Sequence, residues 1–230
     1  MLYCYVKAIP SKKAKVNFRF FSYGLTALGL IFIANVIFPI LLYQLKSFRF
    51  SPAALVSPVE SSYSFNNNDY NDYNNYKNWF PAAPKLPPHE SKITHYNLSV
   101  PKLKIEDAVV AIGGENLSES LIQYPGTALP GEYGNTVIFG HSVLPQFYNP
   151  KNYKTIFSTL PTLKEGDEIF IDFDGIRYRY VVIKMTEVSP EDVSVLEQHY
   201  DGEYLSLITC VPPGTNLRRL IVKAKLVKSP

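Results

Sequence analysis

A chain of 230 residues with 23 Lys plus Arg against 20 Asp plus Glu is near charge balance at +3, and its length leaves room for one globular domain with appendages. The positive charge is concentrated: residues 1–19 hold Lys7, Lys12, Lys13, Lys15 and Arg19 with no acid, whereas from residue 96 onward 13 basic residues meet 16 acidic ones. The C-terminal part therefore lacks the basic footprint of a DNA- or RNA-binding domain, and nucleic acid is excluded as a partner.

After the basic tail of residues 1–19, residues 20–45 (FFSYGLTALGLIFIANVIFPILLYQL) carry no charge. As a helix they would extend roughly 39 Å at 1.5 Å per residue, enough to cross a bilayer core of about 30 Å with some tilt. A buried core helix and a cleaved secretory signal are the competing readings, but signal peptides have shorter apolar regions. An uncleaved single-pass anchor is expected. Five cations precede the run, and only Lys46 and Arg49 follow closely, so the positive-inside bias places the N-terminus in the cytoplasm and the rest outside. Cys4 and Cys210, the two cysteines, then lie on opposite sides and cannot bridge. A lone extracytoplasmic thiol marks an intermolecular bridge or a reactive group.

Residues 46–95 change character. Seven of the 18 residues from Ser61 to Asn78 are Asn, and clustered prolines follow in APKLPPHE. Such a stretch is expected to be a low-complexity tether without a core, stiffened where proline recurs.

The folded domain is expected over 96–230. Seven short apolar stretches follow one another: YNLSVP, DAVVAI, NTVIFGH, EIFIDFD, IRYRYVVIKM, YLSLITCV and RRLIVKAKLV. They are rich in Val, Ile, Tyr and Phe, several alternate, and Gly, Pro and Asp punctuate them, so strands dominate. Two short helices are expected, one over Asn116 to Gln123 and one from Ser189 with Pro190 at its first position. Strands at this spacing predict a mainly β fold, a closed β-barrel with short helices, with an open sandwich as the competitor.

Three features end or begin predicted strands. His141 closes Asn135-Thr-Val-Ile-Phe-Gly-His141, Cys210 closes Leu205-Ser-Leu-Ile-Thr-Cys210, and Arg218 and Arg219 precede Leu220-Ile-Val. A cysteine nucleophile needs a thiolate, which a nearby imidazole or cation favours. A histidine in reach can protonate a leaving amine and later deprotonate an incoming one. An arginine, always charged, suits the carbonyl oxygen that gains charge in a tetrahedral intermediate. Taken singly, each also has a structural reading: a small buried hydrophobe, a hydrogen-bonded loop histidine, solvated edge charges.

The Gly-His141 strand end, the Leu207-Ile-Thr209-Cys210-Val-Pro-Pro-Gly run and the Arg219-Leu-Ile-Val strand together resemble the signature of the sortase family. The approach Tyr124-Pro-Gly-Thr-Ala-Leu-Pro-Gly and the turn Leu163-Lys-Glu-Gly-Asp167 are similar to that family as well. The resemblance covers roughly 96–228 and implies a closed eight-stranded barrel. It implies that Cys210 attacks a backbone carbonyl in the sorting-signal peptide of a secreted protein and forms a thioester. His141 is then the acid and base, Arg219 rather than Arg218 takes the arginine position, and Thr209 contacts substrate or supports the oxyanion site. An amine acceptor on a cell-wall precursor or pilin would resolve the thioester. The short Cys-to-Arg spacing resembles the shorter-loop, housekeeping-like branches, with a class D or E likeness, and leaves the subclass open.

No cofactor or metal is expected, since Glu115, Glu119 and Asp174 read as solvated acids. Two other cysteine wall-enzyme classes fit less well: L,D-transpeptidases cluster His, Gly and Cys closely, and a second peptidase class places Cys before His. A purely hydrolytic or inactive surface protein that binds peptide or wall partners is the alternative function.

Overall fold

The computed structural model describes residues 12–47, 74–84, 86–87 and 91–227. Cys4, much of the basic tail and most of the expected tether therefore lie outside the described residues. The chain divides into two units, Met1–Tyr43 and Gln44–Pro230.

Helix α1 spans Lys12–Ser47. Its segment Phe20–Leu45 has a mean hydropathy of 2.5 and is long and apolar enough to cross a membrane. Large apolar side chains such as Phe20, Ile31 and Phe38 are exposed, unlike those of a core helix. Two polar side chains within it bond back to the helix's own carbonyls: Thr26 Oγ1 donates to Ser22 O at 2.9 Å and Asn35 Nδ2 to Ile31 O at 3.1 Å. Such internal pairing is what a medium without water demands.

The second unit is a closed eight-stranded barrel. Its strands are β1 (His95–Val100), β2 (Ile105–Ile112), β3 (Leu121–Gln123), β4 (Gly134–Phe139), β5 (Glu168–Phe173), β6 (Ile176–Val188), β7 (Glu203–Val211) and β8 (Arg218–Leu226). Around the barrel the order is β1-β2-β3-β4-β7-β8-β6-β5, with β5 returning to β1. The β2–β3 and β4–β7 pairs are parallel and the others antiparallel. All seven expected strands are present, and closure leaves no edge unpaired.

The two expected helices are corrected. Residues 116–120 form a turn, in which Asn116 Oδ1 accepts from the backbone and hydroxyl of Ser118. The end of the expected helix is strand β3, fully buried and paired on both sides. Tertiary pairing outweighs local preference over so short a segment. Near Ser189 only a 3-10 turn forms, Val193–Leu196, with Asp192 as its cap rather than Pro190 as its first residue.

Strand β4 is buried along its whole length, and β7 nearly so. Their almost unbroken apolar runs are those of strands covered on both faces. One face lines the barrel. The other carries Val137, Phe139, Ile208, Cys210 and Ile221, packed against Leu117, Tyr124, Leu196 and three residues of the expected tether: Tyr76, Trp79 and Phe80. The tether reading is thus corrected for the described residues 74–84 and 86–87, where Tyr76, Trp79 and Phe80 pack as part of the domain. The three aromatic rings supply the apolar area that the surrounding asparagines lack.

Candidate active site

Register brings two of the expected residues together. Cys210 of β7 and Arg219 of β8 are direct partners in the antiparallel ladder, and directly opposed residues share a face of the sheet. On the other side of β7, Phe139 pairs with Ile208 in parallel, and Gly140 N continues the ladder by donating to Ile208 O at 3.1 Å. The same register carried two residues on sets His141 level with Cys210. Cysteine thus stands in the middle strand, with histidine on one flank and arginine on the other.

The turn bearing His141 is pinned from several directions. Thr209 Oγ1 donates to Gly140 O at 2.8 Å, Ser142 Oγ donates to Cys210 O at 2.7 Å, and Phe157 N donates to His141 O at 3.0 Å. Position 140 is crowded: a Cβ there would lie 2.5 Å from Phe157 Cδ2 and 2.6 Å from Leu121 Cδ2, so any side chain would force those buried groups to shift. The Gly-His pair is therefore a packing requirement as well as a motif.

Thr209 is the residue expected to contact substrate or support the oxyanion site, and it sits between the nucleophile strand and the histidine turn. Its side chain is fully buried on the face opposite Cys210 and spends its hydroxyl on Gly140 O. It holds β7 to the histidine turn. Arg218 lies one residue out of register with Cys210 and is exposed. Its guanidinium turns to Glu187, with Nε 3.8 Å from Oε2 and Nη2 donating to the Glu187 carbonyl at 3.4 Å.

Arg219 is 1% exposed, and all three of its nitrogens donate to main-chain carbonyls. Nε and Nη2 reach Trp79 O at 3.3 and 3.2 Å, while Nη1 reaches Asn216 O at 2.9 Å and Arg218 O at 3.3 Å. Among the described residues no carboxylate forms an ion pair with it. A buried cation met only by dipoles is costly unless an anion is to be formed beside it. Cys210 is the group it acts on: burial pushes the thiol up to about 11, and Arg219 opposes that rise.

Sequence reasoning missed Trp79. Its indole lies under the Arg219 guanidinium, 5.5 Å from ring centre to Cζ, and 5.8 Å from the centre of the His141 ring. The available signal was that it is the chain's single Trp, followed directly by Phe80 and Pro81 in an otherwise polar stretch. Glu115, expected to be merely solvated, pairs with Lys77 of the same segment at 2.6 Å. Among the described residues no three His, Cys, Asp or Glu side chains gather as a metal site would require.

The family model of the sortase domain matches residues 98–227. Sortase A of Bacillus anthracis is 30% identical over 131 residues, covering 56% of this chain and 58% of the relative, and sortase D of Bacillus subtilis is 25% identical over 134 residues, covering 56% and 62%. The match thus spans about three fifths of those curated relatives' lengths. Among solved structures, a Clostridium perfringens sortase D5 transpeptidase aligns with TM-score 0.50 at 27% identity, over 63% of this chain and 83% of that one. A lid mutant of sortase A from Corynebacterium diphtheriae aligns with TM-score 0.52 at 29% identity, over 73% and 84%. Barrel topology, the strand-end positions of His141, Cys210 and Arg219, and a family match running from β1 into β8 agree, and this chain belongs to the sortase family.

Proposed function

We propose that this chain is a membrane-anchored cysteine transpeptidase. It cleaves the sorting-signal peptide of secreted proteins and joins the new carboxyl end to an amine acceptor on a cell-wall precursor or pilin. The observation that carries the reading is the direct pairing of Cys210 with the buried Arg219 beside the pinned His141 turn.

The chemistry follows from those groups. The Cys210 thiol gives its proton to His141, and the sulfur attacks a peptide carbonyl. Arg219 donates to the oxygen that becomes negative, where a preorganised donor is worth about 3 kcal/mol of barrier. Collapse of the intermediate breaks the C–N bond, His141 returns a proton to the departing amine, and a thioester remains. An incoming amine then attacks the thioester and loses its proton to His141. The amide forms, the C–S bond breaks and the sulfur leaves as thiolate. Water in place of the amine would make the same steps a hydrolysis.

The test uses the full chain in detergent with a library of sorting-type peptides and an added amine, read by mass spectrometry. A thioester on Cys210 and an amine-linked product are expected. Cys210→Ala should abolish both while unfolding at a similar temperature. Full activity of that variant would end the proposal, and free acid as the sole product would assign hydrolysis instead.

A further inference from the structure

The Lys and Arg side chains of the barrel strands all stand on β6 and β8. Arg177 meets Asp172 at 2.7 Å, Arg179 meets Glu168 at 2.8 Å, and Arg218 lies 3.8 Å from Glu187. Arg219 stands opposite Cys210. Lys184, Lys223 and Lys225 remain, and among the described residues no carboxylate pairs with them.

These three lysines share one face. Lys184 is directly opposite Lys223 across β6 and β8, and Lys225 is directly opposite Tyr204 of β7. Lys223 Nζ stands 4.5 Å and Lys225 Nζ 5.7 Å from the centre of the Tyr204 ring. Like charges directly opposed in a ladder are destabilising, and at an exposed site a ring face offers a cation only a weak counter-charge. The register of β6 shifts between Val182 and Lys184, and Ile183, the extra residue there, is 41% exposed. A bulge re-aims side chains, and this one sets an aliphatic group beside the lysines. Asp201 borders the face, accepting from Tyr204 Oη at 3.3 Å.

Unpaired ammonium groups, an amphipathic ring beneath them and an exposed aliphatic neighbour form a composition suited to lipid headgroups, with phosphate for the cations and the headgroup boundary for the ring. Resting on the membrane-anchored reading above, we propose that the face made by Ile183, Lys184, Tyr204, Lys223 and Lys225 docks on anionic phospholipid headgroups of the bilayer that holds α1. The anchor supplies those headgroups at high local concentration, so a small face suffices. Lys223 and Arg219 share a side of β8 four residues apart, about 13 Å at 3.3 Å per residue. Docking therefore sets the Cys210–Arg219 rung close to the lipid surface and favours peptides and amines held there over soluble ones.

The test reads position rather than turnover. The full chain with Cys4→Ser, Cys210→Ala and Ile183→Cys has one thiol, which carries a donor fluorophore. Energy transfer to an acceptor-labelled headgroup is compared in nanodiscs of phosphatidylcholine alone and of equal parts phosphatidylcholine and phosphatidylglycerol. Efficiency should be high on the anionic discs, low on the neutral ones, and should drop to the neutral level in about 1 M salt, where the screening length is about 3 Å. Combining Lys184→Gln, Lys223→Gln and Lys225→Gln should lower the docked-to-undocked ratio by roughly 100-fold, about fivefold for each lysine. Equal efficiency on both kinds of disc, or no effect of the triple replacement or of salt, would overturn the docking face. Inorganic polyphosphate covers the rival ligand: if it shields Lys184 and Lys223 from acylation and anionic discs do not, the face binds a soluble polyanion instead. A chain that stays on anionic discs but leaves neutral ones would refute the anchor and keep the docking face. Peptide transfer by a wild-type chain whose probe fails to respond would refute docking alone, and a responding probe without any transfer product would refute the transpeptidase reading alone.

Discussion

Cys210 and Arg219 are directly opposed across β7 and β8, while Arg218, one position earlier, turns its guanidinium to Glu187. Side-chain alternation along a strand thus separates two adjacent arginines into different tasks. Arg219→Ala should lower kcat/KM for peptide cleavage by about 100-fold or more, the usual cost of losing an oxyanion donor. Arg219→Lys should recover only part of this, because a single ammonium cannot reproduce the planar fork. Arg218→Ala removes an exposed pair and should stay within about threefold of wild type. Steady-state kinetics on the three variants decide the matter, and a severe loss confined to Arg218→Ala would show the register argument to be wrong.

Thr209 links the nucleophile strand to the histidine turn through its bond to Gly140 O. Thr209→Val conserves shape and deletes the hydroxyl. The Gly140 carbonyl then loses a donor in a dry site, at a cost of about 1 kcal/mol and a Tm lower by roughly 2–4 °C. Because Thr209 is buried away from the thiol's face, kcat should fall through looser placement of His141 while KM stays near wild type. A raised KM with unchanged kcat would instead return Thr209 to substrate contact.

Much of the barrel was legible because its strands alternate or concentrate β-branched and aromatic residues, as in EIFIDF of β5 and NTVIF of β4. Strand β3 was not, since three residues buried on both faces show no period, and Asn116 and Glu119 upstream imitate a helix start. His141 and Cys210 were legible as strand ends. Residue types alone left Arg218 and Arg219 open and only the family resemblance favoured Arg219; the register of β8 against β7 is what sets Arg219 opposite Cys210. The packing of the Trp79 segment was hidden by averaging: seven asparagines in 18 residues make a disordered composition, yet burial is decided by where Tyr76, Trp79 and Phe80 land. Local composition carries no information on a groove built from Phe139, Ile208 and Gly126, which lie more than 40 residues further on.

The charge asymmetry around α1 gives the orientation a direct test. Tyr200 is 72% exposed on the barrel unit, so Tyr200→Cys in a Cys4→Ser, Cys210→Ala background offers one accessible thiol. A membrane-impermeant maleimide should label it on intact cells. With Cys210→Ala alone, Cys4 should be labelled only after lysis. The reverse pattern would place the N-terminus outside and contradict the positive-inside argument.

Burial holds the Cys210 thiol at about 11 against its ordinary 9.0, and this has two consequences of opposite visibility. For reactivity, the thiolate fraction rises tenfold per pH unit until the pKa is reached, so the alkylation rate of the wild-type chain should climb with unit slope from pH 8 to about 10 without levelling. A plateau near pH 7 would mean that the resting site already holds a thiolate. For stability, the folded state keeps a proton that the unfolded state releases above about pH 9. The contribution is therefore whole below pH 9, falls as pH rises, and is lost by pH 11, amounting to about 2–3 kcal/mol. Buried tyrosines such as Tyr180, raised to about 12 mainly by burial, add a falling limb of their own, which is common to wild type and Cys210→Ala. Subtracting the two denaturation curves between pH 8 and 11 isolates the thiol: wild type should lose stability faster than Cys210→Ala across that window, and parallel curves would show that the fold does not penalise the thiolate.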